Sequence, residues 1–475
     1  MKNKAITPFV SIVILLIFSC KSQQKEWDIR DYGAVADTTV KNTQAIQKTI
    51  DACAKAGGGK VVVTSGTYVS GTILLKDNVE LHITENSKLI ASDNPNDFYA
   101  IDAFIDATGQ YRGQCFIGAS DVKNIAITGK GIIDGNGTMF TPKNVRKTYK
   151  RLGVTPKKPD ISELIAKNDN YVSKKIRWSN RPFLVRFVRV SNTKIREITL
   201  RQPAAWTLHF FQCDTFEVDN INIYSKANQN NDGIDIDSSS NGIIKNCTIN
   251  SDDDAICFKT TSLKPTTNIS VTNCKLSSDW GAIKFGTESM GAFEDITIKD
   301  CFITDTHGGG IKILSVDGAN MNNIWIDNIK MTAVEMPIFI RLGERLLTYR
   351  SASKQAVGTM NNITISNIDI ISREKEHLRL FPTTGIFITG TPNHKIDNLT
   401  LENIKISLPG GGTLADTNTI VPENETKYPE FINFGVSPAY GMYARHVKNL
   451  NTKNVSFELL SSDERKDIIT LDVNN

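Results

Sequence analysis

The sequence predicts an all-β fold in which short strands coil into a parallel β-helix. The first observation is a repeat: segments such as VDNINI at Val218, IKNCTI at Ile244 and VTNCKL at Val271 recur about every 27 residues. The second is that apolar and polar residues alternate within each segment, which is typical of half-buried strands. Strands at this interval without helices between them predict stacked coils. A propeller is the rival all-β fold, but its repeats run to about 40–50 residues.

The chain begins with a segment that resembles an export signal. An apolar run, Phe9–Phe18, follows two lysines and is too short to span a bilayer. It ends in a pattern similar to a bacterial lipobox, which predicts a lipoprotein signal peptide over 1–19, lipidation of Cys20 and a tether over 20–26. The alternative is an ordinary signal peptide that is cleaved nearby. We expect an exported protein held at the cell envelope of a Gram-negative-type bacterium through this lipid alone.

A single β-helix domain is predicted over 27–475. A helix capped by Asn42 and ended by the glycines at 57–59 would cover the open end of the coils. Four strands are predicted after it: Lys60–Thr64, Thr67–Val69, Thr72–Leu75 and Val79–Ile83.

A basic insertion interrupts the repeat over about 141–182. It carries twelve lysines or arginines against three acids and shows little periodicity. We predict a long loop at the mouth of a groove. It is either a solvated surface segment or one that grips substrate.

The repeat and the composition limit other classes of function. Cys247, Cys274 and Cys301 are spaced at the repeat interval, which favours buried stacked thiols over disulfides or a zinc site. The Asn and Asp residues at the turns of the repeat are expected to form hydrogen bonds with the residue at the same position in the next coil. A net charge of +4 over 475 residues is too small to indicate nucleic-acid binding.

Aspartates are concentrated between residues 229 and 259. Asp232 and Asp253 are 21 residues apart, close to one coil, so they should face the same groove, with Asp254 beside them. Crowded carboxylates cannot all ionise freely, so one retains a proton at a raised pKa. An acid and a base in one cleft are what glycoside hydrolysis requires. The alternatives are a calcium site or a set of turn-forming residues.

Two motifs in this stretch resemble a known family. NNDGIDID from Asn230 and DDAICFK from Asp253 are similar to the signatures of glycoside hydrolase family 28, the polygalacturonases and their relatives. The stretches that begin at Trp27, Gly57 and Ala204 are also similar to bacterial members. The resemblance implies a right-handed single-stranded parallel β-helix with an N-terminal capping helix. It also implies hydrolysis with inversion that needs no cofactor and no metal.

The resemblance also implies roles for the acids. Asp253 would be the general acid, and Asp232 and Asp254 would activate water, with acid and base about 6.5–9.5 Å apart. Asn230 would shape the site. Asp235 would be either a supporting acid or a structural turn residue, and we expect the latter.

Two positions depart from the family pattern. Trp280 stands where the family has histidine and Gly310 where it has arginine, while Lys312 is retained. In polygalacturonases the missing pair helps to hold galacturonate. Either the sugar on one side of the bond differs, as in rhamnogalacturonan hydrolases, or Lys284, Arg341 and Lys312 take over.

Trp280 would either stack on a sugar or fill the groove wall. Glu288 resembles a substrate-end residue of exo-acting members, or else is an exposed loop acid. His209 is expected to be structural.

The predicted function is hydrolysis of pectin or a related acidic plant polysaccharide by a monomeric enzyme. One alternative is a polysaccharide lyase that uses calcium and a basic residue. Another is a β-helix that binds glycans without cleaving them.

Overall fold

The computed structural model describes residues 25–155, 162 and 181–474. The predicted signal peptide, Cys20 and most of the tether lie outside the described residues, as does most of the second half of the basic insertion. Among the helices that are described, none is long and apolar enough to cross a membrane.

The strands of the described residues are numbered in chain order. The first sixteen are β1 Glu26–Asp28, β2 Gly59–Val63, β3 Gly66–Ser70, β4 Ile73–Leu74, β5 Val79–Ile83, β6 Ser87–Ala91, β7 Ala100–Ile105, β8 Tyr111–Ser120, β9 Lys123–Thr128, β10 Ile132–Asp134, β11 Phe183–Val188, β12 Ser191–Arg196, β13 Thr199–Arg201, β14 Leu208–Phe211, β15 Asp214–Asp219 and β16 Asn222–Ser225. The others are β17 Ile234–Asp237, β18 Ser240–Lys245, β19 Thr248–Ser251, β20 Ile256–Thr260, β21 Thr266–Thr272, β22 Lys275–Ser278, β23 Gly281–Ser289, β24 Phe293–Thr306, β25 Gly309–Ser315, β26 Met321–Val334, β27 Ile338–Leu342, β28 Met360–Ser372, β29 Ile386–Thr389, β30 Ile396–Leu408, β31 Ala439–Leu459 and β32 Lys466–Asn474.

These strands form a right-handed parallel β-helix, as predicted. In the central coils each strand pairs in parallel with the strand three positions later, for example β11 with β14, β14 with β17 and β17 with β20. The chain therefore completes one coil every three strands and presents three faces. Among the described strands, β7 and β8 form an antiparallel pair. This hairpin projects beside the face that carries β17, β20 and β23.

The interior is a stack of branched and aromatic side chains. Inward-facing residues such as Ile236, Phe258 and Phe285 are fully buried and lie in register between coils. The predicted stacking of Cys247, Cys274 and Cys301 is confirmed, since all three are buried free thiols. Burial of this continuous apolar column removes it from water and holds the coils together.

A ladder of turn residues runs along the outside of the coils. Asn273 Nδ2 donates to Asn246 Oδ1 at 2.7 Å, and Asn246 Nδ2 donates to Asp219 Oδ1 at 2.7 Å. Asn246 and Asn273 have φ of 57° and 53°, a left-handed conformation that asparagine tolerates. The predicted role of the recurrent asparagine is confirmed.

The capping helix, α1, spans Thr43–Lys55. Ile46, Ile50 and Cys53 are buried against the first coil, which explains why an apolar stripe was present in the sequence. Asn42 occupies the predicted N-cap position, but its side chain makes no capping hydrogen bond and bonds instead to the backbone of Val35 and Val40. Of the four strands predicted after the helix, the last matches β5, the first is shifted by one residue from β2, β3 is longer than predicted by one residue at each end, and β4 is shorter.

Part of the basic insertion is helical, which corrects the prediction of a loop. Helix α2 spans Pro142–Leu152, begins at Thr141, whose hydroxyl accepts from the Asn144 N–H, and ends at Gly153 with φ of 64°. Short 3-10 segments elsewhere among the described residues are Ile29–Tyr32, Pro95–Asp97, Gly137–Phe140, Lys375–His377, Asp416–Asn418 and Phe431–Phe434.

Candidate active site

Three aspartates meet at the start of neighbouring strands. Asp232 precedes β17, and Asp253 and Asp254 precede β20 one coil later. The Gly233 N–H donates to the Asp254 carbonyl at 2.8 Å, which links the two turns. One oxygen from each of the three carboxylates lies within 4.8 Å of the others. The predicted stacking is therefore observed, but the closest oxygens are nearer than the predicted 6.5–9.5 Å.

Asp253 is the one of the three that is partly exposed to the groove. Its Oδ2 accepts from Asn230 Nδ2 at 3.2 Å, and its Oδ1 accepts from the Asp254 N–H at 2.9 Å. Burial of the carboxyl and the charge of Asp254 raise the pKa of Asp253. An accessible carboxyl with a raised pKa is suited to deliver a proton.

Asp254 is bound by two donors from the next coil. Lys284 Nζ donates to Asp254 Oδ2 at 2.7 Å, and the Gly281 N–H donates to Oδ1 at 3.2 Å. A Cβ at residue 281 would lie 2.9 Å from the same Oδ1, so glycine is needed there. Lys284 was predicted to bind substrate, but its ammonium is committed to this carboxylate.

Asp232 and Asp235 form a crowded buried pair. Asp235 lies on β17, so its predicted role in a turn is wrong. No donor among the described residues reaches Asp232 Oδ1 or either oxygen of Asp235. Burial, followed by the charges of Asp235 and Asp253, raises the pKa of Asp232 well above its ordinary value. Burial also raises the pKa of Asp235. A proton shared by the pair relieves this repulsion.

The ammonium of Lys259 lies close to three carboxylates of the site. Its Nζ lies 3.7 Å from Asp232 Oδ2, 3.6 Å from Asp235 Oδ1 and 3.4 Å from Glu288 Oε2. It also lies 4.6 Å from the centre of the Trp206 ring. Lys259 is the last residue of the DDAICFK motif, but no role was predicted for its side chain.

Glu288 is a buried residue of the groove wall, not an exposed loop acid. It lies on β23 with 4% exposure, and its Oε1 accepts from the Ala107 N–H at 3.1 Å. Burial alone would raise the pKa of Glu288, but Lys259, Arg345 and the Ala107 N–H outweigh it and lower the pKa to about 2. Glu288 therefore ties the β7–β8 hairpin to the coils.

Two arginines and Asn230 form the end of the groove nearest this hairpin. Arg112 on β8 pairs with Asp106 at 2.7 Å and donates to Asn230 Oδ1 at 3.2 Å. Arg181 donates to the same Asn230 oxygen at 2.9 Å and to Gln110 Oε1 at 2.7 Å. Asn230 lies between these cations and Asp253, consistent with its predicted role. Arg181 closes the basic insertion and reaches the site, which supports the substrate-gripping alternative at that residue.

The other end of the groove is built around Glu430. Lys312 Nζ donates to Glu430 Oε2 at 2.6 Å, and Trp280 Nε1 donates to Glu430 Oε1 at 3.0 Å. Arg379 Cζ lies 4.4 Å from the centre of the Trp280 ring. These contacts fix Trp280 in the wall and favour the wall-filling alternative over stacking on a sugar.

A family model described as "Glycosyl hydrolases family 28" matches residues 75–427. The chain belongs to glycosyl hydrolase family 28. It is therefore a glycoside hydrolase, as the two aspartate motifs predicted.

Individual relatives agree with this family 28 assignment. An exo-poly-alpha-D-galacturonosidase of Dickeya chrysanthemi is 33% identical over 255 residues, which cover 49% of this chain and 41% of the relative. The chain thus spans less than half the length of this relative. The structure of a family 28 exopolygalacturonase from Yersinia enterocolitica has a TM-score of 0.71 and 20% identity, with 95% and 78% of the two chains covered. An exopolygalacturonase from Thermotoga maritima has a TM-score of 0.63 and 20% identity, with 81% and 87% covered.

Arg341 was predicted to bind substrate, but the structure places it outside the site. Its guanidinium donates to Thr389 Oγ1 at 3.0 Å, Gly390 O at 2.8 Å and Glu423 O at 2.9 Å. The side chain is 1% exposed and lies on β27, two coils beyond β23. Its donors are used to hold later loops, so it has a structural role.

His209 is also structural, as expected. It is fully buried on β14 and lies 3.4 Å from Asp237. Burial and the charge of Arg186 lower the pKa of His209 to about 3, so the imidazole is neutral.

The carboxylates of this family 28 chain offer oxygen ligands of the kind that calcium prefers. However, both oxygens of Asp254 already accept from Lys284 and Gly281, and Lys259 lies beside Asp232. A divalent cation at this point would have to displace a buried ammonium. The donor set fits protonated and paired carboxylates better than a metal site.

Proposed function

We propose that this family 28 hydrolase cleaves a glycosidic bond in a pectin-type acidic polysaccharide, with inversion at the anomeric carbon. The observation that supports it best is the contrast between two adjacent carboxyls. Asp253 is accessible and has a raised pKa, whereas Asp254 is buried and accepts a hydrogen bond from the Lys284 ammonium. General acid–base hydrolysis needs two carboxyls in different surroundings at one bond.

In the proposed reaction Asp253 donates its proton to the glycosidic oxygen as the bond to the anomeric carbon breaks. Asp254 takes a proton from the water that attacks the same carbon, and Asp232 helps to activate that water by positioning it. The products are two sugars with new hydroxyls, and the starting state returns when Asp254 releases its proton to solvent and Asp253 takes one up. Asn230 orients Asp253 through its 3.2 Å hydrogen bond.

The stereochemical outcome requires its own measurement, because the closest oxygens of the acids lie within 4.8 Å. Separations near 5 Å are typical of retaining enzymes, and longer ones of inverting enzymes. We expect inversion, with water bound directly by Asp254 and Asp232. Proton NMR of the first-formed reducing end tests it, and initial formation of the anomer with the substrate's own configuration would contradict it.

The activity test uses homogalacturonan, rhamnogalacturonan and pectins that bear side chains, with released sugars identified. Asp253→Asn keeps the shape of the side chain but cannot donate the proton. We expect kcat to fall by about a thousandfold with substrate binding retained. Near-normal turnover by this variant would refute the role of Asp253.

The same assay distinguishes the alternatives. A lyase would give unsaturated, ultraviolet-absorbing ends and would lose activity in excess chelator, whereas the hydrolase gives saturated reducing ends and keeps its activity. A binding protein would retain polysaccharide without releasing reducing ends.

Export, attachment through a lipid on Cys20 and a monomeric state are part of the proposal. The predicted lipobox supports the first two. Cys20→Ser should move the protein from the membrane fraction to the soluble fraction of the envelope. An unchanged distribution would argue against the anchor.

Sedimentation equilibrium of the purified protein tests the proposed monomeric state.

A further inference from the structure

The two ends of the groove differ in how their positive charges are compensated. Successive strands stack about 4.8 Å apart, so positions along the groove follow the order of the coils. The acids precede β17 and β20, Arg181 precedes β11 on one side, and Lys312 lies on β25 on the other. A sugar chain laid along the groove would meet Arg181 on one side of the acids and Lys312 on the other.

The charge of Lys312 is cancelled inside the protein. Its ammonium pairs with Glu430 at 2.6 Å, and the two residues are 0% and 3% exposed. The second oxygen of Glu430 accepts from Trp280 Nε1. A sugar carboxylate that approached Lys312 would meet the negative partner of this ammonium in place of a free cation. Breaking a buried ion pair to admit it is costly.

Arg181 differs because its partners are neutral. Its guanidinium donates to the amide oxygens of Gln110 and Asn230 and to the Gln229 carbonyl. Among the described residues, no carboxylate lies within ion-pair distance of it. Arginine stays charged in proteins, and its planar fork matches a carboxylate. A uronate can replace an amide partner at this end without breaking an ion pair.

We propose that the groove accepts a uronate on the Arg181 side of the acids and rejects one on the Glu430 side. The bond cleaved therefore joins a uronate to a neutral sugar. This inference rests on the proposed hydrolysis of an acidic polysaccharide and narrows its substrate. It makes Glu430 and Arg181 specificity-determining residues.

The first experiment compares two probes, oligosaccharides of alternating galacturonate and rhamnose and oligosaccharides of galacturonate alone. We expect the wild type to have the higher kcat/KM on the alternating probe. Glu430→Gln keeps the hydrogen bond to Trp280 but frees the charge of Lys312. It should improve kcat/KM on the uronate-only probe at least about tenfold relative to the alternating one.

A double variant isolates the charge of Lys312. In Lys312→Met/Glu430→Gln no ammonium is freed, so the gain on the uronate-only probe should vanish. Glu344→Gln is the matched control, since Glu344 pairs with His394 outside the groove and should leave the ratio unchanged. A wild-type preference for the uronate-only probe would overturn the proposal. So would an unchanged ratio in Glu430→Gln, or a gain that persists in the double variant.

The second experiment measures binding in Asp253→Asn, where turnover does not interfere. Adding Arg181→Gln should weaken binding of the alternating probe at least about tenfold and reduce its dependence on salt. Arg196→Gln, which removes a cation paired with Glu217 on the outer face, is the control. Equal effects of the two arginine variants would overturn the role of Arg181.

Failure of this inference is distinct from failure of the proposed function. If the wild type releases no reducing ends from any pectic substrate, the proposed function fails. If it hydrolyses pectic substrates but the Glu430 variants leave the preference unchanged, only the specificity assignment fails.

Discussion

Asp253 and Asp254 are neighbours in sequence, yet their hydrogen-bond partners differ. Lys284 and the Gly281 N–H both donate to Asp254. Asp253 accepts one amide and one backbone hydrogen bond, and no ammonium of the described residues lies at hydrogen-bond distance from it. The difference arises because the strand that carries Lys284 stacks one coil after β20. The stacking of coils thus gives two adjacent carboxyls the different surroundings on which their proposed roles depend.

The pH dependence of activity follows from the state of Asp253. Its pKa is raised by burial and by Asp254, and the protonated form is the active one in the proposed mechanism. We expect kcat/KM to fall as pH rises through this pKa, at higher pH than for an ordinary aspartate. A pH–rate profile of the wild type measures this limb. A decline centred in the ordinary aspartate range, near pH 4, would contradict it.

Glu288 should contribute to stability in a pH-dependent way. Its pKa is lowered to about 2 from an ordinary value of 4.5, so its stabilisation is present above pH 4.5 and is lost as pH falls toward 2. Glu288→Gln should reduce the free energy of unfolding by roughly 3 kcal/mol at neutral pH and by much less near pH 2.5. Urea unfolding at both pH values measures it. An equal loss at both would mean that the charge is not responsible.

At the scale of elements, α1 closes the start of the coiled core. Ile50 is fully buried beneath it, so Ile50→Ala should lower the free energy of unfolding by about 2–5 kcal/mol through the cavity it leaves. Lys48 lies on the exposed face of the same helix, and Lys48→Ala should change stability by less than about 0.5 kcal/mol. Urea unfolding compares the two. Similar small effects would show that α1 does not seal the core.

The asparagine ladder makes a separate prediction. Asn273 adopts φ of 53° and donates to Asn246 in the preceding coil. Asn273→Ala loses the hydrogen bond and strains the backbone, whereas Asn273→Gly loses only the hydrogen bond. We expect the alanine variant to be less stable than the glycine variant by about 1 kcal/mol. Equal thermal midpoints would show that backbone strain is unimportant at this turn.

At the scale of the whole molecule, the features that could be predicted from the sequence are those set by the repeat. Coil spacing placed Asp232 and Asp253 together, and alternation located the buried face. Contacts between distant loops could not be predicted this way. Glu430 lies 118 residues beyond Lys312, and Arg181 is 49 residues from Asn230. No periodicity relates such segments, so their pairing depends on how loops fold over the groove.

The error at Arg341 has the same physical origin. Its position on a strand was compatible with the groove, and an arginine there suggested a ligand for a sugar carboxylate. The acceptors that bind it, at Thr389, Gly390 and Glu423, are supplied by later parts of the chain. The alternation of apolar and polar residues shows which face of the strand a side chain lies on. The partners of a charged side chain, in contrast, depend on tertiary contacts.

Strand β7 with its loop to β8, the described part of the basic insertion and the segment around Glu430 all lie outside the parallel coil strands, while the three acids lie at coil turns. Residues that select a sugar and residues that break its bond thus belong to separately replaceable parts of the chain. Insertions or exchanges in these segments alter preference without disturbing the stack beneath. Proteins with this architecture can therefore differ in the polysaccharide that they prefer while they keep the same arrangement of acids.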